Sequence, residues 1–184
     1  MSEARARLLT AATRLFYSQG IHSVGIDRVI ADAGVTRATL YRHFPSKDDL
    51  LVAYLTEADN TIRAQVAAAR TASAGRSPAD AVRAVAGTIA DGISSPGFRG
   101  CAFLNAAAEY PDPGNRVRRV IDDHRKWFFD VLREQAADLG HPEPEHAARV
   151  LVLLRDGALH GGELDDAEQV RTTLRRAVDD FLPA

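Results

Sequence analysis

The sequence of 184 residues has little cysteine, few aromatic residues and no long apolar run. Its single cysteine, Cys101, excludes an internal disulfide and any zinc site built from cysteines. No segment of about 18 consecutive apolar residues occurs, and no charged start is followed by an apolar stretch, so we expect a cytoplasmic protein without a membrane partner. Runs of β-branched residues are also scarce, whereas alanine, leucine and charged residues are abundant. This composition favours helices over strands.

The sequence also lacks the motifs of catalytic and cofactor sites. It has no Gly-x-Ser-x-Gly, no phosphate-binding Walker loop and no dinucleotide fingerprint. Its histidines have neither the H-E-x-x-H spacing nor another paired metal-ligand spacing; they are His22, His43, His124, His141, His146 and His160. We therefore expect no enzyme, no cofactor and no metal site.

Charge is distributed unevenly along the chain. The formal net charge is −2, yet residues 1–47 carry seven basic and three acidic side chains, an excess of four positive charges. The remaining 16 basic and 22 acidic side chains give residues 48–184 an excess of six negative charges. A basic end on an acidic body predicts that the first part of the chain meets a polyanion.

Helical periodicity accounts for nearly the whole chain. Apolar residues at three- and four-residue steps, together with capping residues and glycines, predict an all-α fold of about nine helices: 4–19, 26–33, 37–43, 47–72, 78–93, 101–110, 115–139, 145–160 and 166–181. We expect Gly161 and Gly162 to interrupt the eighth helix, and Asp165 with Glu168 to form a capping box for the ninth. The first three helices would form a domain over residues 1–46, and residues 47–184 a second domain.

Residues 24–47 have the pattern of a helix-turn-helix. Two short helices are joined by a turn at Gly34, Thr36 can cap the second, and Leu40 and Phe44 lie four apart on its inner side. The other side offers hydrogen-bond donors and small residues to the major groove. Arg37 could donate two hydrogen bonds to guanine, while Ala38 and Thr39 could contact a thymine methyl group. The residues suited to phosphate oxygens are Tyr41, His43 and Lys47.

The segment AGVTRATLYRHFPSKDDLL closely resembles the DNA-binding signature of TetR/AcrR-type regulators, and the likeness extends over residues 4–55. It implies an N-terminal helix-turn-helix domain and a C-terminal ligand-binding and dimerisation domain. It also implies that the last two helices pair with those of a second copy, and that a ligand enclosed by the middle helices separates the two DNA-binding domains. In some members a base-reading basic residue stands where this chain has Asp27. The positions that match DNA contacts of the family are Thr36, Arg37, Ala38, Thr39, Tyr41, His43 and Lys47.

The helix over 145–160 is apolar on more than one side and the last helix carries an apolar stripe, which together predict self-association through residues 145–181. The predicted dimer-interface residues are Leu151, Val152, Arg155, Leu159, Val170, Leu174, Val178 and Phe181. A homodimer would bind a near-palindromic operator with half-sites about 34–36 Å apart or a multiple of that distance.

The middle helices supply apolar residues with a few polar groups, as small-molecule pockets do. The candidate pocket residues are Phe103, Asn105, Tyr110, His124, Trp127 and Phe128. Cys101 is interpreted as a small buried residue, with a redox sensor as the alternative.

The preferred function is a homodimeric repressor that a small, mostly apolar molecule releases from double-stranded operator DNA. Three alternatives remain open. The first is a ligand-blind architectural DNA binder, which a filled middle cavity would favour. The second is a helical interaction module without DNA function, and the third is an activator.

Overall fold

A computed structural model describes residues 2–182, which form nine α-helices and, within that range, no strand. The helices are α1 (Glu3–Gln19), α2 (Ile26–Ala33), α3 (Arg37–His43), α4 (Lys47–Ala72), α5 (Pro78–Ile93), α6 (Ala102–Glu109), α7 (Arg116–Asp138), α8 (Pro144–Leu164) and α9 (Ala167–Phe181). The prediction of an all-α fold of about nine helices is confirmed.

Two expectations about the last helices were wrong. Gly161 and Gly162 do not interrupt α8, which continues to Leu164. A Cβ at Gly162 would lie 2.5 Å from Cγ2 of Ile93, so this glycine allows α5 and α8 to approach closely. The N-cap of α9 is Asp166 and not Asp165, and the Asp166 side chain accepts a hydrogen bond from the Gln169 amide. Asp165 is instead the C-cap of α8.

The chain forms two compact units. The N-terminal unit comprises the chain up to Asn60 together with Ala102–Asp122. In it α1, α2 and α3 pack against one another. Its fully buried side chains include Leu8, Leu15, Val29 and Leu40. This unit therefore includes the first half of α4, α6 and the start of α7 in addition to residues 1–46.

The C-terminal unit comprises Thr61–Cys101 and the chain from Asp123 onward. Helices α5, α8 and α9 pack against one another around an apolar cluster that includes Val85, Phe128, Leu151 and Leu174. A capping box formed by Ser77 and Asp80 begins α5. None of the helices in residues 2–182 is both long enough and apolar enough to cross a membrane.

Candidate nucleic-acid interface

The turn between α2 and α3 depends on Gly34. Its backbone lies in the left-handed region, at φ 61° and ψ 43°, which strongly favours glycine. The amide of Gly34 donates to the carbonyl of Ala31, and that of Val35 to the carbonyl of Ile30, both at 3.3 Å. These bonds end α2 within one residue and let the chain begin a second helix three residues later.

Helix α3 is fixed by its cap and by two apolar anchors. The Thr36 hydroxyl accepts a hydrogen bond from the amide of Thr39 at 3.2 Å, which satisfies one of the unpaired donors at the helix start. Leu40 is fully buried and Phe44 is 2% exposed, as their spacing predicts. Only one side of α3 is therefore available to a partner.

We call this available side the recognition surface and define it as Arg37, Ala38, Thr39, Tyr41 and His43. Arg37, Ala38 and Tyr41 are exposed, and Thr39 and His43 are partly exposed. These side chains therefore lie on the solvent-exposed side of α3.

Two basic groups of the recognition surface already have partners within the N-terminal unit. The Arg37 guanidinium forms an ion pair with Asp27 of α2. Nε2 of His43 lies 3.2 Å from the hydroxyl oxygen of Ser2, the N-cap of α1. A partner that binds these two side chains must therefore exchange or extend these contacts.

Lys47 lies in a different environment from the recognition surface. Its Nζ donates to the carbonyl of Ile21 at 2.6 Å and sits 5.7 Å from the centre of the Phe16 ring. Burial lowers the pKa of Lys47, although the nearby carboxylates of Glu109 and Asp48 oppose that shift. In the free protein this ammonium group stabilises the turn between α1 and α2.

Glu109, the last residue of α6, holds the same turn from its other side. Its carboxylate accepts hydrogen bonds from the amides of Ile21 at 2.8 Å and His22 at 2.6 Å. One carboxylate oxygen also lies 3.0 Å from Nδ1 of His22. A half-buried carboxylate that accepts two backbone amides forms charge-assisted hydrogen bonds, which are stronger than neutral ones.

Three of the predicted pocket residues belong to the N-terminal unit. Phe103 is buried, and Asn105 is partly buried. Tyr110 stacks on His22 with ring centroids 5.3 Å apart, and its hydroxyl lies 3.4 Å from a carboxylate oxygen of Asp48. Burial, followed by the charge of Asp48, raises the pKa of Tyr110 to about 12. Tyr110 therefore supports the same turn as Glu109.

The other three predicted pocket residues belong to the C-terminal unit. His124 and Phe128 are buried, and the Arg63 guanidinium lies 4.2 Å from the centre of the partly buried Trp127 ring. Phe128 borders a narrow cavity of about 20 Å³, which is room for a single water molecule. The cavity is lined by Val82, Val85, Ala86, Ile89, Phe128, Leu132, Leu151, Arg155, Leu174 and Val178.

Most of the predicted dimer-interface residues are core residues of their own chain. Leu151, Val152, Arg155, Leu174 and Val178 are all buried, and Leu174 alone among them also borders a surface groove, so they offer little surface to a second copy. Leu159, Val170 and Phe181 are partly buried against the same apolar cluster. The exposed apolar side chains of α8 are instead Leu153 and Leu164, at 68% and 76% exposure.

Cys101 is buried, as its interpretation as a small core residue predicts, and Nη2 of Arg155 lies 3.3 Å from its sulfur. Arg155 also pairs with Asp156 at 2.8 Å. Residues 2–182 contain no group of three or more histidine, cysteine, aspartate or glutamate side chains arranged to hold a metal ion.

The sequence does not predict the roles of two polar side chains. The Glu109 carboxylate could not be recognised as an anchor of the turn between α1 and α2, because its partners lie 87 and 88 residues earlier in the chain. Gln135 had a detectable signal, since it follows Phe128 by seven residues and Leu132 by three and so continues an apolar side of α7. Its buried amide makes no side-chain hydrogen bond within residues 2–182.

Comparison with known proteins gives a consistent result. The profile of "Bacterial regulatory proteins, tetR family" matches residues 8–54. The transcriptional regulator LmrA of Bacillus subtilis is 34% identical over 161 residues, which cover 85% of each chain. The transcriptional activator FasR of Mycolicibacterium smegmatis is 29% identical over 85% of this chain and 71% of its own. A crystal structure of a TetR-family regulator from Streptomyces coelicolor is 58% identical, with a TM-score of 0.95 over 99% of this chain and 95% of that one.

Proposed function

The chain belongs to the TetR family of DNA-binding transcriptional regulators, which are not enzymes, and we propose that it acts as a homodimeric repressor of a near-palindromic operator. We further propose that a small, mostly apolar molecule releases it from the DNA. The observation that carries this proposal is the recognition surface, in which donors and small side chains stand on a helix anchored by Leu40 and Phe44.

The side chains of α3 divide into base-reading and phosphate-binding groups. Arg37 donates to the O6 and N7 atoms of a guanine, and the methyl groups of Ala38 and Thr39 contact a thymine methyl group. Tyr41 and His43 donate to phosphate oxygens and so fix the position of α3 in the groove. Thr36 remains mainly a cap. The Lys47 ammonium group donates to the carbonyl of Ile21. To bind a phosphate it must either break that hydrogen bond or use its remaining N–H groups.

The surface of α8 and α9 is the proposed dimer interface. The two helices border an open groove of about 560 Å³, lined by Leu153, Leu154, Gly157, Ala158, Gly161, Asp165, Gln169, Val170, Thr173, Leu174 and Ala177. Leu153 is far more exposed than a leucine in a stable core. In a two-fold dimer the same groove of each copy receives side chains of the other.

The proposed ligand acts on the C-terminal unit. The cavity beside Phe128 is apolar except for Arg155, and it holds about one water molecule as it stands. A larger apolar molecule can enter only a state in which α5, α7 and α8 have separated around it. Binding would therefore favour that expanded state, and a ligand shifts an equilibrium only through such a difference in affinity.

The test uses a duplex that contains the inverted repeat nearest the gene for this protein. Fluorescence anisotropy should show binding that weakens steeply with salt. Arg37→Ala and Tyr41→Ala should each weaken it by about tenfold or more, whereas Arg133→Ala, an exposed arginine of α7, should leave it unchanged. Retention of wild-type affinity by both α3 variants would refute the DNA-binding role of the recognition surface.

Release by a ligand needs a separate experiment. A panel of lipophilic compounds is added to the repressor–operator complex, and the fraction of bound DNA is measured. Displacement by one chemical class supports the proposal. A complex that survives the whole panel favours the second candidate, a ligand-blind DNA binder, to which the 20 Å³ size of the cavity also points.

A further inference from the structure

An acidic side chain stands beside the recognition surface. Asp27 lies in the first turn of α2, its side chain is 78% exposed, and its carboxylate forms an ion pair with Nη2 of Arg37. The pair joins the two helices of the helix-turn-helix across 10 residues of sequence. Arg37 itself is 60% exposed, so both members of the pair are accessible to DNA.

Stability of the fold does not account for this pair. An ion pair between exposed side chains contributes little to folding, because water and salt screen its charges. A carboxylate on a surface that meets DNA also repels the phosphates, which weakens binding to every sequence. Asp27 therefore lowers general affinity for DNA without a matching gain in folding.

The contact between Asp27 and Arg37 can instead improve the discrimination between DNA sequences. A free arginine side chain has many rotamers, and on a DNA surface the nearest acceptors for it are phosphate oxygens, which carry no direct sequence information. The ion pair favours, without fixing, guanidinium positions on the side of α3 that faces α2. A guanidinium held in this way loses less conformational freedom when it donates to a guanine.

We propose that Asp27 is a specificity-determining residue that acts by positioning the Arg37 guanidinium toward base edges and away from phosphates. This inference rests on the base-reading role proposed above for Arg37. Asp27 lowers the affinity for non-operator DNA, and it lowers the affinity for the operator less. Asp27 thereby raises the ratio of operator affinity to non-operator affinity.

The chain offers a matched control on the same helix. Asp32 of α2 also forms an ion pair with an arginine, Arg14, and it too is accessible to solvent. Its partner, however, belongs to α1 and not to α3. Asp32→Asn therefore removes the same charge and the same kind of ion pair without releasing a base-reading side chain.

The experiment measures dissociation constants for an operator duplex and for a duplex of equal length with both half-sites scrambled. Asp27→Asn should bind the scrambled duplex about fivefold more tightly, because one repulsive charge is lost near the phosphates. Its ratio of operator to scrambled affinity should fall by about fivefold or more. The slope of log K against log salt should steepen by about 0.9 for each released Arg37 that gains a phosphate.

Asp32→Asn should keep the wild-type ratio. In an Arg37→Ala background, Asp27→Asn should change the ratio no further, since the residue acts through that arginine. Circular dichroism and the thermal midpoint verify that the variants fold. Asp27→Ala provides a second variant that cannot accept a hydrogen bond from Arg37.

Two results would overturn this inference and leave the proposed function intact. One is an unchanged ratio in both Asp27 variants of a protein that still discriminates its operator. The other is an equal effect of Asp27→Asn with and without Arg37, which would mean that Asp27 contacts DNA directly. A wild-type protein that binds both duplexes equally would overturn the proposed function as well.

Discussion

Replacing Glu109 by alanine is expected to loosen the turn that joins α1 to α2. The substitution removes the acceptor of two backbone hydrogen bonds, at 2.8 Å from Ile21 and 2.6 Å from His22. A hydrogen bond to a charged group contributes about 1.5–3 kcal/mol. The His22 bond is exposed, so water can replace part of the loss there, and we expect a total cost of about 2–3 kcal/mol. In a chain of this length that cost lowers the thermal midpoint by about 4–12 °C.

The assay combines thermal unfolding with hydrogen exchange, which locates the change. The amides of Ile21 and His22 should exchange about 10- to 100-fold faster in the alanine variant, because each factor of ten corresponds to about 1.4 kcal/mol of local opening. Glu109→Gln keeps a neutral acceptor and should show a smaller effect. The control is Glu145→Ala, which removes an exposed glutamate paired with Arg149 of its own helix. If the Glu109 and Glu145 variants have the same midpoint and the same exchange rates, the carboxylate does not hold the turn.

Three further predictions concern packing, ionisation and assembly. Gly162→Ala should destabilise the protein by about 1–3 kcal/mol in chemical denaturation, because its Cβ would meet Ile93. Gly87→Ala, with no atom within 4 Å of the new Cβ, should stabilise it by about 0.5–1 kcal/mol. Tyr110 should ionise near pH 12 in a titration at 295 nm. Its raised pKa adds stability that is complete below pH 10 and is lost as the pH approaches 12, and Tyr110→Phe should abolish this component. Leu153→Glu should convert the proposed dimer to monomers in light scattering, and an unchanged mass would place the interface elsewhere.

The sequence predicts the local parts of the DNA-binding domain well. The bounds of α2 and α3 coincide with the predicted ranges of 26–33 and 37–43. Their ends are set by Gly34 and Thr36, whose effects act within a few residues. The inward direction of Leu40 and Phe44 follows from helical spacing alone.

The errors arise where a residue is selected by a distant partner. Gly162 was interpreted as a helix breaker, but it accommodates a side chain 69 residues earlier in the chain. The predicted interface residues Leu151 and Val152 are buried in their own core, because an apolar side of a helix does not reveal which chain will cover it. The pairing of Asp27 with Arg37 likewise depends on the angle at which α3 leaves the turn at Gly34.

The contacts of the free protein also affect how much each basic side chain contributes to the affinity for DNA. Arg37, His43 and Lys47 are all proposed to contact DNA, and each already contacts a polar group of the N-terminal unit. A phosphate that displaces such a partner gains only the difference between the two interactions, so the salt slope should be smaller than a count of these cations implies. Lys47 should contribute least, because its partner is the carbonyl of the Ile21 turn, which Glu109 holds in place. Operator specificity then depends more on Arg37 and on the methyl groups of Ala38 and Thr39 than on the total positive charge of the domain.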